Sequence, residues 1–120
     1  MRRLKSEIAD DRAIRAMERV PRESFVPAES KHMAYEDVPV PIGEGQTISQ
    51  PFIVALMVQA LELRQTDKIL ELGTGSGYEA AVLAELANRV VTVERIASMA
   101  DSARDRLAAM GYDNVEVVLA

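Results

Sequence analysis

The sequence predicts an α/β protein built as the first β-α-β-α-β half of a doubly wound parallel sheet, with an N-terminal helical and loop cap in front of it. Three observations carry this. Residues 68–94, KILELGTGSGYEAAVLAELANRVVTVE, run from a short apolar segment through a glycine-rich turn into a helix-like stretch, then into a β-branched run closed by Glu94. Beyond it, Ile96, Met99, Ala103, Leu107 and Met110 recur at helical spacing before another β-branched run at residues 115–119. Strand and helix periods alternating in this way specify a parallel sheet with crossover helices. Upstream, Pro27, Pro39, Pro41, Gly43 and Gly45 crowd a stretch with neither period, which reads as a cap.

A chain of 120 residues holds one core, large enough to fold by burial alone. At 48% hydrophobic and 28% charged residues it falls in the globular range and outside the disordered and membrane-spanning classes. No run approaches the roughly 18 apolar residues of a spanning helix. The opening MRRLKSEIADD has basic residues with no apolar stretch behind them, which is not the pattern of a secretory signal. The expected location is the cytoplasm, with no membrane partner. The lack of cysteine excludes disulfides and thiolate chemistry, and a single histidine, His32, leaves little basis for a metal site. A net charge of −5 argues against nucleic acid as a partner, since that needs clustered cations.

Residues 6–19 set Ile8, Ile14 and Met17 at helical spacing, with Asp10 and Asp11 near the start and Val20-Pro21 at the end. They predict a short amphipathic helix. Residues 22–49 are expected to be extended and turning backbone, packed down by Phe25, Val26, Met33, Tyr35, Val38, Val40 and Ile42. Within it, Asp37 reads as a turn acceptor and His32 as a surface residue. Ser49 is the expected N-cap of a second helix, with Pro51 in its first turn and Ile53, Val54, Met57, Ala60 and Leu61 on its core face. Strand one follows at residues 68–72, an alanine-rich helix at residues 78–86, and strand two at residues 90–93. A third helix over residues 96–110 is ended by Gly111, and strand three covers residues 115–119. Met17, Met57, Met99 and Met110 fall on core faces.

Right-handed crossovers give the strand order 3-2-1. Strand one is apolar enough to be expected in the sheet interior, buried on both faces. The sequence ends at residue 120 without strands to cover it, so an exposed edge is expected, with self-association through that edge as its consequence. The cap is assigned to residues 1–48 and the first half of a nucleoside-cofactor domain to residues 49–120.

A glycine-rich turn between strand and helix lets a ligand approach backbone N–H groups that a Cβ would block. Glu94, roughly 20 residues past the first glycine, suits the two hydroxyls of a ribose. The dinucleotide fingerprint G-x-G-x-x-G is matched imperfectly, because Gly77 comes one residue early and Tyr78 stands in the sixth place. Glu71 discriminates further. Burying even a neutral polar group without a partner costs about 2 to 7 kcal/mol, so a carboxylate on this strand is expected to face a ligand. Beside the glycine loop it opposes a pyrophosphate and suits a tail that carries an ammonium and a sulfonium. The cofactor expected is therefore S-adenosyl-L-methionine and not NAD, with Glu94 on the ribose. The alternatives are an ion pair of Glu71 with Lys68, a polar strand end at Glu94, and a tight turn with no ligand at the glycines.

LELGTGSGYEAAVLAEL and VVTVE resemble the two cofactor motifs of class I methyltransferases. VPRESFVP, AYEDVPVPIGEGQTISQPFIVALM and ILELGTGSGYEAAVLA together resemble the protein-L-isoaspartate (D-aspartate) O-methyltransferases, with the PIG-x-GQTISQP segment as the specific part. The resemblance covers essentially the whole chain. It implies a Rossmann-like class I methyltransferase fold and methyl transfer from S-adenosyl-L-methionine to the free carboxylate of L-isoaspartyl and D-aspartyl residues, which initiates repair of damaged proteins. Isoaspartyl-containing proteins and peptides are then the partners. By position it implies that Ser49 is the active-site serine that orients the substrate carboxylate. Gln46, Thr47 and Ile48 would run along the cofactor with Glu71, Gly73, Thr74, Gly75, Ser76, Gly77 and Glu94, and Val38, Pro39 and Ile42 would meet the damaged peptide. Family members continue past the third strand into a Gly-Asp-Gly turn, so the chain is expected to be an N-terminal portion of such an enzyme. A non-catalytic S-adenosyl-L-methionine-binding module and a methyltransferase with another substrate are the competing readings.

Overall fold

The computed structural model describes residues 11–120. Of the helix expected over residues 6–19, positions 6–10, Ile8 and Asp10 among them, lie outside the described residues; within them stands α1, Asp11–Arg19. Asp11 in its first turn and Arg19 in its last complement the helix dipole, and Ala13, Ile14, Ala16 and Met17 are buried.

The next stretch turns and extends without regular α-helix, as expected. It forms two 3-10 turns, Arg22–Phe25 and Ala28–Met33, and then a hairpin of β1, Val40–Gly43, and β2, Gln46–Ile48. Pro21 and Pro27 each stand immediately before a 3-10 turn, where a preset φ starts the turn and the missing N–H costs nothing. Pro41, by contrast, lies within β1. Phe25, Val26 and Val40 are buried and Met33, Val38 and Ile42 pack against them, while Tyr35 stays 48% exposed with its hydroxyl donated to Glu23.

Helix α2, Pro51–Leu61, corrects two expectations. Its cap position is Gln50, not Ser49, and neither side chain caps it; instead Asp37 Oδ1 accepts the Phe52 N–H at 2.9 Å from 15 residues upstream. Asp37 therefore acts as a long-range helix cap. The buried face is Pro51, Val54, Ala55 and Val58, whereas Ile53, Met57, Ala60 and Leu61 are exposed. Because the helix is apolar all round, periodicity could not select its core face, and Met57 was placed on the wrong side for the same reason.

The sheet is built from β3, Lys68–Leu72, β4, Arg89–Glu94, and β5, Val115–Leu119, joined by α3, Tyr78–Leu86, and α4, Ala97–Ala109. Strand β4 is central and parallel to both neighbours, as predicted. Right-handed crossovers put α3 and α4 on one face, over buried Val90, Thr92, Glu94 and Val117. On the other face Leu70 and Leu72 are 64% and 79% exposed. Strand β3 is thus an edge, as expected, but it is not buried on both faces. No helix among the described residues is long and apolar enough to cross a membrane.

Behind the sheet, alanines on α1 and α3 let the helices approach closely, and Phe25 meets the Tyr78 ring edge-on with centroids 5.6 Å apart. Gly77 marks the tightest join. It has φ +93°, and a Cβ there would lie 3.2 Å from Leu107 Cδ1 of α4. Gly77→Ala is expected to lower stability by about 1 to 3 kcal/mol through backbone strain and crowding. A urea titration with an unshifted midpoint would show that Leu107 yields freely.

Candidate functional site

The glycine turn spends its own donors. Gly73 and Thr74 N–H both donate to Val93 O at 2.8 and 3.2 Å, Gly75 N–H donates to Glu94 Oε1 at 3.0 Å, and Gly77 N–H donates to Thr74 O at 3.0 Å. The expectation that these groups point at a ligand is corrected at all four positions. A diphosphate would find them engaged, which counts against a dinucleotide on structural grounds. What the turn offers a ligand is close approach to a surface without side chains. Arg106 Nη1 braces it from α4 through Ser76 O at 2.7 Å, and Ser76 Oγ accepts the Tyr78 N–H at 3.2 Å.

Glu94 is buried, and its second oxygen accepts the Ile96 N–H at 3.0 Å. It therefore bridges the glycine turn to the start of α4. A carboxylate has about four lone-pair sites, so these two bonds leave capacity for ligand hydroxyls.

Glu71 lies on the inner face of β3, directly beside Thr92 of β4 in the parallel register. Thr92 Oγ1 donates to Glu71 Oε1 at 2.6 Å; having one hydrogen, it must accept from Thr74 Oγ1, 2.7 Å away. Lys68 is exposed on the opposite face, so the alternative Lys68 ion pair is not formed. Burial pushes the Glu71 carboxyl up to about 8, helped by the charges of Glu79 and Glu94 and by a hydrogen bond to Glu79, and opposed by the Thr92 bond. Three acids thus gather around one glycine turn, a field that favours a cation.

Three cavities flank this turn on the hairpin side; one, about 280 Å³, lies between Gly75, Ser76, Ile42, Gly43 and Arg106, and the remaining two lie beside the acids. One of about 100 Å³ is lined by Thr47, Ile48, Ser49, Glu71, Glu79 and the turn residues from Gly73 to Ser76, with Val54 and Tyr78 behind. The other, about 350 Å³, is lined by Gln46, Leu72, Gly73, Val93, Glu94, Arg95, Ile96 and Ala120. The hairpin therefore brings Gln46, Thr47, Ile48 and Ser49 to the acids from 25 residues or so away in sequence, a closure only tertiary pairing can make. Ile42 reaches the turn as well, its Cδ1 3.6 Å from where a Gly75 Cβ would be. Val38 and Pro39 line neither of these two cavities.

Sequence reasoning missed Thr92, Glu79 and Arg22. Thr92 was findable, since it shares strand parity with Glu94 and pairs with Glu71. Glu79 and Arg22 carry no local signal, because their partners are distant along the chain.

A parallel β5-β4-β3 sheet with both helices on one face, a glycine turn after the first strand and an acid closing the second defines the cofactor half of a class I methyltransferase fold. A solved protein-L-isoaspartate O-methyltransferase superposes on it with TM-score 0.86 at 29% identity, over 97% of this chain and 39% of that one. The chain belongs to the protein-L-isoaspartate(D-aspartate) O-methyltransferase family, whose profile matches residues 1–120. A Plasmodium falciparum structure described as such an enzyme, in complex with S-adenosyl-L-homocysteine, gives TM-score 0.82 at 25% identity over 98% of this chain and 59% of that one. The protein-L-isoaspartate O-methyltransferase of Methanoculleus marisnigri is 57% identical over 112 residues, covering 93% of this chain and 51% of the relative. The chain spans about half the length of the curated relatives it matches.

Proposed function

We propose that the chain carries the S-adenosyl-L-methionine site and the substrate-orienting serine of an enzyme that methylates the free carboxylate of isoaspartyl residues in damaged proteins. The observation that carries this is the shared cavity in which Ser49 and Glu71 face the same glycine turn. When bound, S-adenosyl-L-methionine supplies an electrophilic methyl group on a sulfonium sulfur. The residues present fit it. Glu71, with Glu79 and Glu94 near, meets the cationic tail; Glu94 has acceptor capacity for the ribose; Gly73, Thr74, Gly75, Ser76 and Gly77 form the floor, and Gln46, Thr47 and Ile48 line the hairpin wall.

The substrate carboxylate is already an anion at neutral pH, so its attack on the methyl needs no strong base. Ser49 donates its hydroxyl to one carboxylate oxygen and leaves the other aligned for attack, so the rate comes from orientation and exclusion of water. This chemistry agrees with a chain that has one histidine and no cysteine. Val38, Pro39 and Ile42 serve the backbone of the damaged peptide.

The test is tritiated methyl transfer from S-adenosyl-L-methionine to an isoaspartyl peptide, with its aspartyl isomer as control. Transfer only to the isoaspartyl form supports the proposal, and equal labelling of both would sink it. Ser49→Ala is expected to reduce kcat/KM by about 10- to 100-fold, the worth of one hydrogen bond to a charged group. Its melting temperature should not move, because Ser49 is exposed and caps nothing.

A further inference from the structure

Arg22 is the largest fully buried side chain among the described residues, 1% exposed, and no part of the cofactor site accounts for it. Its guanidinium ties three separate pieces together. Nε donates to Ala34 O at 2.5 Å, at the end of the second 3-10 turn, and Nη2 donates to Ser49 O at 2.7 Å, where the hairpin leaves β2. Its Cζ stands 4.7 Å from the centroid of the Tyr78 ring, the residue that opens α3 directly after the glycine turn. Tyr78 is held in turn by the edge of Phe25, from the same 3-10 turn as Arg22.

Stability alone does not explain this choice. A buried cation is commonly replaceable by a well-packed apolar side chain at little loss. Here Nη1 remains buried without a hydrogen-bond partner, a cost that an apolar residue would avoid. What the guanidinium does that an apolar side chain cannot is fix two carbonyls and a ring in one plane-defined geometry. A lysine ammonium, a point charge on a flexible stem, does not reproduce that fork. One of the two carbonyls belongs to Ser49, so the fork sets the peptide from which the serine hydroxyl projects. Asp37 adds to the same cluster, since its charge acts on Arg22 while its Oδ1 caps α2 two residues beyond Gln50.

We propose that Arg22 is a positioning residue for Ser49, fixing the serine against the glycine turn through the Ser49 carbonyl and the Tyr78 ring. The role rests on the function proposed above, in which Ser49 orients the substrate carboxylate. Arg22 lines none of the cavities at the glycine turn, so it acts on the chemical step through Ser49 and not on cofactor binding.

The test is a double-mutant cycle in the full gene product with Arg22→Lys and Ser49→Ala. It reads kcat and KM for an isoaspartyl peptide, S-adenosyl-L-homocysteine affinity by calorimetry, and the melting temperature. Arg22→Lys is expected to lower kcat about tenfold in the wild-type background and less than about twofold once Ser49 is alanine, since its effect passes through the serine. Affinity for S-adenosyl-L-homocysteine should stay within about twofold in every variant. An unchanged kcat in Arg22→Lys, or equal losses in both backgrounds, overturns the positioning role. If Arg22→Lys does not fold, Arg22→Gln takes its place in the cycle. Loss of the melting transition in both makes Arg22 a structural residue and ends the proposal. A wild-type protein that transfers no methyl sinks the function itself; an active one indifferent to Arg22→Lys sinks only this inference.

Discussion

Glu94→Ala is expected to lower stability by about 2 to 6 kcal/mol and to weaken S-adenosyl-L-homocysteine binding by at least about tenfold. The stability loss follows from two part-buried donors. Gly75 N–H and Ile96 N–H both end on this carboxylate, and each would be left unsatisfied at a cost of about 1 to 3 kcal/mol. The glycine turn would then be released from the start of α4. Glu94→Gln does not repair this, because its amide nitrogen is a donor set against one of two donors. Urea titrations report the stability loss and calorimetry the affinity. A variant with the wild-type midpoint would show that Glu94 does not anchor the turn.

The second large effect is a pH dependence centred on Glu71. Its carboxyl is raised from an ordinary 4.5 to about 8, so between those values the native state holds a proton that the unfolded chain has released. Stability contributed by this group is therefore complete below about pH 4.5, declines as pH rises, and is lost above about 8. The loss is on the order of a few kcal/mol. Glu71→Gln mimics the protonated acid, accepting from Thr92 and donating towards Glu79, so its stability should be flat across that range and should exceed the wild type at pH 9. Chemical denaturation from pH 5 to 9 compares the two, and parallel profiles would remove Glu71 as the cause. A cationic ligand at this site should favour the deprotonated form and flatten the wild-type profile.

Both effects sit on residues that were legible in the linear chain. Glu71 lies inside an apolar run and Glu94 ends one, each beside a turn, and an acid in such a place has no local reason to exist, so it announces a ligand or a structural partner. The structure adds that Glu94 has both roles open to it, since the backbone bonds of its two oxygens leave lone pairs over. The glycine turn was equally legible in position and only half legible in use. Spacing argued against a dinucleotide, but that three of the four engaged N–H groups are spent inside the fold depends on Val93 O and Glu94, which arrive from the neighbouring strand, while Gly77 N–H bonds within the turn.

Other features were not legible, each for a definite reason. The core face of α2 was read wrongly because its apolar residues surround the helix, and only packing against α1 chose Val54, Ala55 and Val58. Ser49 was read as a cap because serine before a proline-led helix is a good local match. The cap actually comes from Asp37, brought in by the hairpin. Turning backbone was expected over residues 22–49, but which parts turn, at residues 22–25 and 28–33, was not legible, because proline fits the start of a turn and an extended chain equally well.

The sequence by itself determined the order of elements, the parallel order of the sheet's three strands, and the identity of the acids and glycines, because strand and helix periods and the φ demands of glycine are local properties. The tertiary structure alone decided which groups meet. Thr92 came beside Glu71, Asp37 onto α2, and Arg22 between Ala34, Ser49 and Tyr78, because contacts between residues far apart in the chain are selected by burial and hydrogen-bond satisfaction over the whole fold.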